Sequence, residues 1–203
     1  SKGLGTVQVA ALTTAGIAAL GTDQISKGLT TDQVVALRTD QVAALKTHQI
    51  AALTTDQIAA LETRDVAALT TTGMWALSTD QVSKGLTTAQ VGALRTDQAA
   101  TLSTNQIAAL TTTQVTAMAT RNIAALTTAG IGALSTDQIA KGLTTAQVAA
   151  LTIGGVAALS TDQISKGITT DQIVALRTDQ IAALKTAQVA ALTTDQVAAD
   201  RKS

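Results

Sequence analysis

The chain has 203 residues, and its 14 Lys and Arg residues balance 14 Asp and Glu residues, so the formal net charge is zero. This balance provides no positive field to hold nucleic acid, and we expect no nucleic-acid partner. Phe, Tyr, Cys and Pro are absent, and there are one Trp and two Met. We therefore expect an aliphatic core, and the lack of Cys excludes disulfides and zinc–thiolate sites within the chain.

An eight-residue unit with the consensus x-Thr-x-Gln-[Val/Ile]-x-Ala-Leu runs along the chain, and residues 54–61 are a representative copy. Its threonine, which we call the ladder threonine, recurs from Thr6 to Thr194 with the exception of Ile153. A fixed period of this kind is the signature of a repeat architecture. We expect a single repeat array over residues 1–203, and we expect it to be a fragment of a longer protein.

Each unit predicts a very short helix, because Ala, Leu and Gln favour helix and Thr-Thr pairs interrupt it. The ladder threonine is the preferred N-cap, since the residue before it varies between units. In the alternative frame the cap lies one residue earlier, and Thr54 and Gln57 form a capping box. A β-solenoid is the lesser alternative for the fold.

Neighbouring repeats are the partners that each unit needs in order to fold. Burying the apolar side chains of one unit contributes about 5 kcal/mol, whereas ordering eight residues costs roughly 8 to 16 kcal/mol. A continuous helix would rotate the apolar stripe by about 80° per unit and present it to no common partner. We therefore predict an all-α solenoid of very short helices, one per eight-residue repeat, with glutamines bonding to the backbone of the adjacent turn.

A longer period overlies the units, because four of them carry one extra residue. These insertions contain Lys followed by Gly, which is typical of a helix C-terminus with glycine in the left-handed region. Shortly before each insertion the ladder glutamine is replaced by glycine, at Gly16, Gly73, Gly130 and Gly155. The block boundaries lie near residues 22, 79, 136 and 161, which gives blocks of 57, 57 and 25 residues. These lengths favour four repeats per turn, with three left open.

Reactive clusters are missing from the sequence. His48 is the one histidine, and it occupies a variable position, so we interpret it as solvated and expect neither catalysis nor a metal site. The recurrent aspartates, such as Asp56, suit the positive ends of helices, and no cofactor is predicted. Trp75 and its neighbour Met74 are the candidate contacts for a partner, because the position of Trp75 accepts residues of every size and is therefore expected at a groove or rim.

Two resemblances bear on function. Residues 29–37 resemble the opening helix of a TAL-effector repeat, which implies DNA binding, although this chain lacks the second helix and the basic stripe of those repeats. Over its whole length, the Ala-Leu-Thr-Thr-x-Gln-[Val/Ile]-x-Ala-Leu pattern resembles arrays in large secreted bacterial exoproteins of the adhesion-related or haem-utilisation type. This second resemblance implies an extracellular or cell-surface spacer or adhesive stalk.

We therefore expect a non-catalytic structural array. The alternatives are a binding module, either a water-ordering Thr array as in ice-binding proteins or a peptide groove, and a nucleic-acid-binding solenoid. No apolar stretch approaches the roughly 20 residues that span a bilayer, so no membrane insertion is expected.

The end units should expose apolar side chains and favour end-to-end self-association. We expect fraying at the N-terminus, because Asp200 and the charges after it blunt the C-terminal end.

Overall fold

A computed structural model divides the chain into two compact units, Ser1–Thr101 and Leu102–Ser203. Within them the structure describes residues 3–199, which form α- and π-helices and contain no β-strand. The helices of the first unit are α1 Thr6–Ala11, α2 Thr14–Ala18, π1 Gln24–Gly28, α3 Thr31–Val35, α4 Thr39–Ala43, α5 Thr47–Ala52, α6 Thr55–Ala60, α7 Thr63–Ala68, α8 Thr71–Trp75, π2 Gln81–Gly85, α9 Thr88–Gly92 and α10 Thr96–Thr101.

The second unit continues the pattern with α11 Thr104–Ala109, α12 Thr112–Ala117, α13 Thr120–Ala125, α14 Thr128–Gly132, π3 Gln138–Gly142, α15 Thr145–Ala150, α16 Ile153–Ala158, π4 Gln163–Gly167, α17 Thr170–Ala175, α18 Thr178–Ala182, α19 Thr186–Ala190 and α20 Thr194–Ala198. Each eight-residue repeat thus contributes one short helix. The predicted all-α solenoid of short helices is confirmed.

Capping boxes close the N-termini of those helices in which a Thr or Ser stands three residues before the ladder glutamine. At α6 the Thr54 hydroxyl accepts a hydrogen bond from the backbone N–H of Gln57 at 3.1 Å, and Gln57 Oε1 accepts one from the Thr54 N–H at 2.8 Å. The cap is therefore the residue before the ladder threonine. The preferred frame, with the ladder threonine as the cap, is wrong, because the glutamine side chain reaches back three residues and selects the earlier position.

Successive turns meet through two kinds of contact. Within each unit a helix packs against the third helix along the chain, as α4 does against α7 and α12 against π3. The glutamines reach further back: Gln41 Nε2 donates to the carbonyls of Val9 at 3.0 Å and Leu12 at 2.7 Å, four repeats earlier. Helix packing thus connects repeats three apart, and the glutamine bonds connect repeats four apart. One turn therefore contains between three and four repeats, and neither the preferred value of four nor the alternative of three accounts for both contacts.

The core is a thin column to which each repeat contributes the same side chains. In the repeat of α6, Ile58 is completely buried, Leu61 is 4% exposed and Gln57 is 3% exposed. Met74 and Met118 take the place of the branched or leucine side chain in their own repeats and are buried as well. The aliphatic core expected from composition is confirmed.

The one-residue insertions are absorbed as π-helices. In π2 the Leu86 N–H donates to the carbonyl of Gln81 at 2.9 Å, a bond spanning five residues that leaves the next repeat in register. The predicted left-handed glycine at the end of each insertion is wrong, because no described glycine has a positive φ. Gly85 is required by close packing instead, since a Cβ there would lie 3.0 Å from Ile58 Cβ.

The glycines that replace the ladder glutamine also mark close contacts between turns. A Cβ on Gly73 would lie 2.6 Å from Ile50 Cδ1, and one on Gly130 would lie 2.5 Å from Ile107 Cδ1. In both places an isoleucine three repeats earlier fills the space that a glutamine side chain would need. These positions are packing sites as well as markers of the long period.

The apolar surface at the ends differs from the expectation. The first core residues, Val9, Ile17 and Ile25, are completely buried, whereas Val189 is 51% and Val197 67% exposed. Each branched core side chain is covered by the turn that follows it, so the face left open is the C-terminal one. Asp200, which was expected to blunt this end, lies outside the described residues. Fraying of the N-terminus stays a prediction.

Candidate functional site

Buried glutamines are the most regular polar feature of the molecule. Gln98 is completely buried, and its Nε2 donates to the carbonyls of Val66 at 2.9 Å and Leu69 at 2.8 Å. Its Oε1 accepts from the Arg95 N–H at 2.9 Å. Both amide protons and the carbonyl oxygen are therefore used inside the fold. The predicted glutamine bonds to the adjacent turn are confirmed, and they leave this side chain no capacity for a ligand.

Three arginines clamp successive turns, a role that the sequence analysis missed. Arg38 donates from Nε and Nη2 to the two carboxylate oxygens of Asp40 at 3.0 Å each, and from Nη1 to the carbonyl of Ala10. Arg95 and Arg177 repeat the arrangement with Asp97 and Asp179. The recurring triplet Arg-Thr-Asp was the available signal, since its first and third residues flank the start of a helix.

The arginines of the clamps lower the pKa of their partner aspartates. The hydrogen bond from the Arg38 side chain, together with the arginine's positive charge, holds the pKa of Asp40 below its ordinary value of 3.8. The corresponding arginine bonds lower the pKa of Asp97 and Asp179. Each carboxylate therefore stays ionised down to acidic pH, which suits a permanent ion pair and does not suit a general acid or base near neutral pH.

One carboxylate lies inside the glutamine column. Asp65 takes the glutamine position of α7 and is completely buried. The hydroxyl of Thr39 donates to its Oδ1 at 2.7 Å, and Arg64 Nε lies 3.7 Å from the same oxygen. Asp65 Oδ2 has no hydrogen-bond partner among the described residues. A buried polar atom without a partner is costly, so this is the least satisfied point of the column.

The residues singled out from the sequence do not converge on one site. His48 and Asp56 are exposed, and the described residues contain no group of three or more His, Cys, Asp or Glu side chains able to hold a metal ion. Met74 is completely buried in the core, whereas Trp75 is 65% exposed on α8. Of the two candidate partner contacts, Trp75 alone presents a surface.

No helix among residues 3–199 is long and apolar enough to cross a membrane.

A sequence model of one protein family, described as the ALTTAQ repeat, matches residues 2–27, 58–96, 112–141, 155–186 and 166–199. No curated protein matches the chain. Since the family matches cover more than half of the residues and recur along the array of capped helices, the chain belongs to the ALTTAQ repeat family.

Proposed function

We propose that the chain is a non-catalytic structural array that serves as a spacer or stalk in a secreted or surface protein of bacteria. The observation that carries this proposal is the use of the buried glutamines. In buried glutamines such as Gln98, the side-chain amide donates to backbone carbonyls and accepts from a backbone N–H of the array itself. The polar side chain that recurs in the repeats thus bonds to neighbouring repeats of the same array.

The spacer role is tested by removing a whole block. Deleting residues 22–78 joins Gly21 to Thr79, which restores the local sequence Gly-Thr-Asp-Gln that begins at Gly21 in the unmodified chain. We expect the shortened chain to keep its helical circular dichroism per residue. The distance between dyes on cysteines introduced at Val7 and Thr193 should fall, because a spacer is defined by its length.

The matched control removes residues 22–74, which leaves half a repeat at the junction. This variant should lose helical signal, because its glutamines fall out of register with their carbonyl partners. An unchanged dye distance after the in-phase deletion would contradict the spacer proposal, as would unfolding of that variant.

The extracellular part of the proposal rests on the resemblance of the repeats to those of secreted bacterial exoproteins. An antibody raised against the chain should label intact bacterial cells that produce the parent protein, or should detect it in the culture medium. Staining that requires prior lysis of the cells would overturn this location without affecting the structural role.

A further inference from the structure

Asp65 interrupts the column of buried glutamines inside the first unit. Gln81 shows what a glutamine does there, because its Nε2 donates to two carbonyls 31 and 28 positions earlier, at 2.9 and 2.6 Å. The same separations lead from Asp65 to the carbonyls of Val34 and Leu37. An ionised carboxylate has no hydrogen to donate, and no glutamine among the described residues donates to these two carbonyls.

The carboxylate lies against the same stretch of the earlier turn. Its Oδ1 accepts from the hydroxyl of Thr39, two residues after Leu37, at 2.7 Å. Its Oδ2 is buried and has no hydrogen-bond partner among the described residues. In place of the usual amide donor, this part of the column therefore gains another acceptor oxygen beside the two carbonyls.

The surrounding charges favour a cation as the missing partner. Asp65 is completely buried, and a buried carboxylate without a close partner is costly. Arg64 Nε lies 3.7 Å from Asp65 Oδ1, but the Arg64 side chain is 65% exposed and its Nη2 pairs with Glu62 at 2.7 Å. One arginine is thus shared by two carboxylates. The three side chains together carry one net negative charge, which a monovalent cation balances.

We propose that Asp65 Oδ2 and the carbonyls of Val34 and Leu37 bind a monovalent cation of the size of potassium. The nitrogen of Gln81 marks the equivalent point, 2.6 to 2.9 Å from both of its carbonyls. Mg²⁺ requires oxygens at about 2.0 to 2.1 Å and Ca²⁺ at about 2.3 to 2.6 Å, so this spacing suits a larger ion. Backbone carbonyls are also the ligands that replace water around potassium in selective channels.

The length of the side chain leaves room for the ion. Aspartate is one methylene shorter than glutamine, so its carboxylate stops short of the point that a glutamine nitrogen occupies. The site consists of one carboxylate and two backbone carbonyls. It therefore differs from a cluster of His, Cys, Asp or Glu side chains, of which the described residues contain none.

The second unit contains a matched position without the charge. Asn122 stands 57 positions after Asp65, is completely buried, and follows Arg121 as Asp65 follows Arg64. Asparagine has the length of aspartate, but it is neutral and brings its own N–H donors. We therefore expect the cation at Asp65 and not at Asn122.

The test is a potassium titration read at both positions. Choline chloride keeps the ionic strength constant, and ¹H–¹⁵N NMR follows the Arg38 amide, which shares a peptide group with the Leu37 carbonyl. We expect its shift to change with KCl and to saturate as for one site. The Arg95 amide, which belongs to an equivalent arginine clamp 57 positions later, should show no saturable change. NaCl should act only at higher concentrations, because the smaller ion fits this spacing less well.

Thermal unfolding provides a second readout. The melting temperature should rise by roughly 3 to 6 °C for each tenfold increase in KCl above the dissociation constant, since the ion binds the folded chain. Asp65→Asn is the matched variant, because the fold already accommodates asparagine at position 122. It should remain helical by circular dichroism and lose both the Arg38 response and the gain in melting temperature. Asp56→Asn, which alters an exposed aspartate, should keep both.

Four results would overturn the proposal. They are an Arg38 amide without a saturable potassium response, an equal response at Arg95, tighter binding of sodium than of potassium, and an Asp65→Asn chain that still responds. A water molecule or a proton beside Asp65 would give the first of these results. The outcome is independent of the spacer role, which the block deletion tests separately.

Discussion

At the scale of the residue, the glutamine side chain combines two tasks that proteins usually divide between several groups. Gln57 closes the N-terminus of its own helix through Oε1 and holds the preceding turn through Nε2, which donates to the carbonyls of Ile25 and Leu29 at 2.8 and 2.6 Å. Because the amide is buried, each of these bonds forms where water cannot replace it.

The first prediction concerns an interior glutamine. Replacing Gln98 by methionine keeps the volume but removes the donor, so the carbonyls of Val66 and Leu69 lose a buried partner. We expect the free energy of unfolding to fall by about 2 to 4 kcal/mol, measured by chemical denaturation. Gln8→Met is the control, because that side chain is exposed, and its cost should stay below about 1 kcal/mol. Equal losses in the two variants would contradict the role of the buried bonds.

The second prediction concerns the buried carboxylate. By analogy with Gln57, a glutamine at position 65 would donate to the carbonyls of Val34 and Leu37, and it would remove the unpartnered Oδ2. Asp65→Gln should therefore raise the free energy of unfolding by about 1 to 3 kcal/mol. The exposed Asp56→Gln change should leave it almost unaltered. A destabilised Asp65→Gln chain would show that the bond from Thr39 matters more than the restored column.

The third prediction concerns pH. Because the arginine lowers the pKa of Asp40 in the folded chain, its ionised form stabilises the fold above pH 3.8, and that contribution is lost as the pH falls through the lower folded-state pKa. In the Arg38→Met variant, NMR titration of the carboxyl carbon should show the pKa of Asp40 rising toward 3.8. The pKa of Asp97, which has its own arginine, should not move. A constant Asp40 value would exclude the clamp as the cause.

At the scale of the element, the insertions show how a strict repeat tolerates an additional residue. The π turn in residues 81–85 widens the helix locally and returns the chain to the same register, so Gln90 still reaches the carbonyls of Ile58 and Leu61 at 2.9 and 2.6 Å. The widened backbone then lies against the preceding turn, and glycine is the residue that fits there.

The fourth prediction uses two glycines in equivalent insertions. A Cβ at Gly85 would press on Ile58 Cβ, an atom next to the backbone that cannot move away easily, so Gly85→Ala should cost roughly 1 to 3 kcal/mol. At Gly28 the nearest atom to such a Cβ is 3.8 Å away, and Gly28→Ala should stabilise by about 0.5 to 1 kcal/mol. Thermal or chemical unfolding of both variants measures the difference. Similar effects in the two would rule out close packing as the reason for glycine.

The sequence predicted local structure better than the closure of the coil. The threonine and glutamine at positions 54 and 57 contain both halves of a capping box, and the amide was expected to bond to the next turn. The number of repeats per turn depends on contacts between helices that are distant in sequence, such as that of Gly73 with Ile50 three repeats earlier. The block lengths were converted into four repeats per turn on the assumption that each turn contains a whole number of repeats. The structure does not meet that assumption.

The candidate functional residues were harder to predict. Met74 was named as a partner contact together with Trp75, although it stands at the Val/Ile position of its repeat and is buried, whereas Trp75 is exposed. The partnerships of Thr39 with Asp65 and of Arg38 with Ala10 join residues 26 and 28 positions apart. Such pairs become predictable only once the length of a turn is known.

At the scale of the whole molecule, stability is shared between neighbours in one dimension, because no repeat buries enough apolar surface to fold alone. The two compact units each contain their own column of branched side chains and glutamines. The last repeats of the second unit expose Ile181, Val189 and Val197, whereas interior repeats bury the equivalent residues, so local stability should fall toward residue 199.

The fifth prediction is that amide hydrogen exchange follows this gradient. At concentrations where the chain is monomeric, the amides of α19 and α20 should exchange faster than those of α6, since Val189 and Val197 are exposed and Ile58 is not. Mass spectrometry of peptides from both regions provides the measurement. Uniform protection from α6 to α20 would contradict it.

The direction of the glutamine bonds has a consequence for synthesis on the ribosome. Among the described residues, each glutamine bond between turns runs from a later residue to a carbonyl 28 to 33 positions earlier. A newly emerged repeat therefore finds its acceptors already made, and it never waits for a segment that has yet to be translated. Growth of the array can keep pace with elongation, one repeat at a time, and only the most recent turn is left uncovered at any moment.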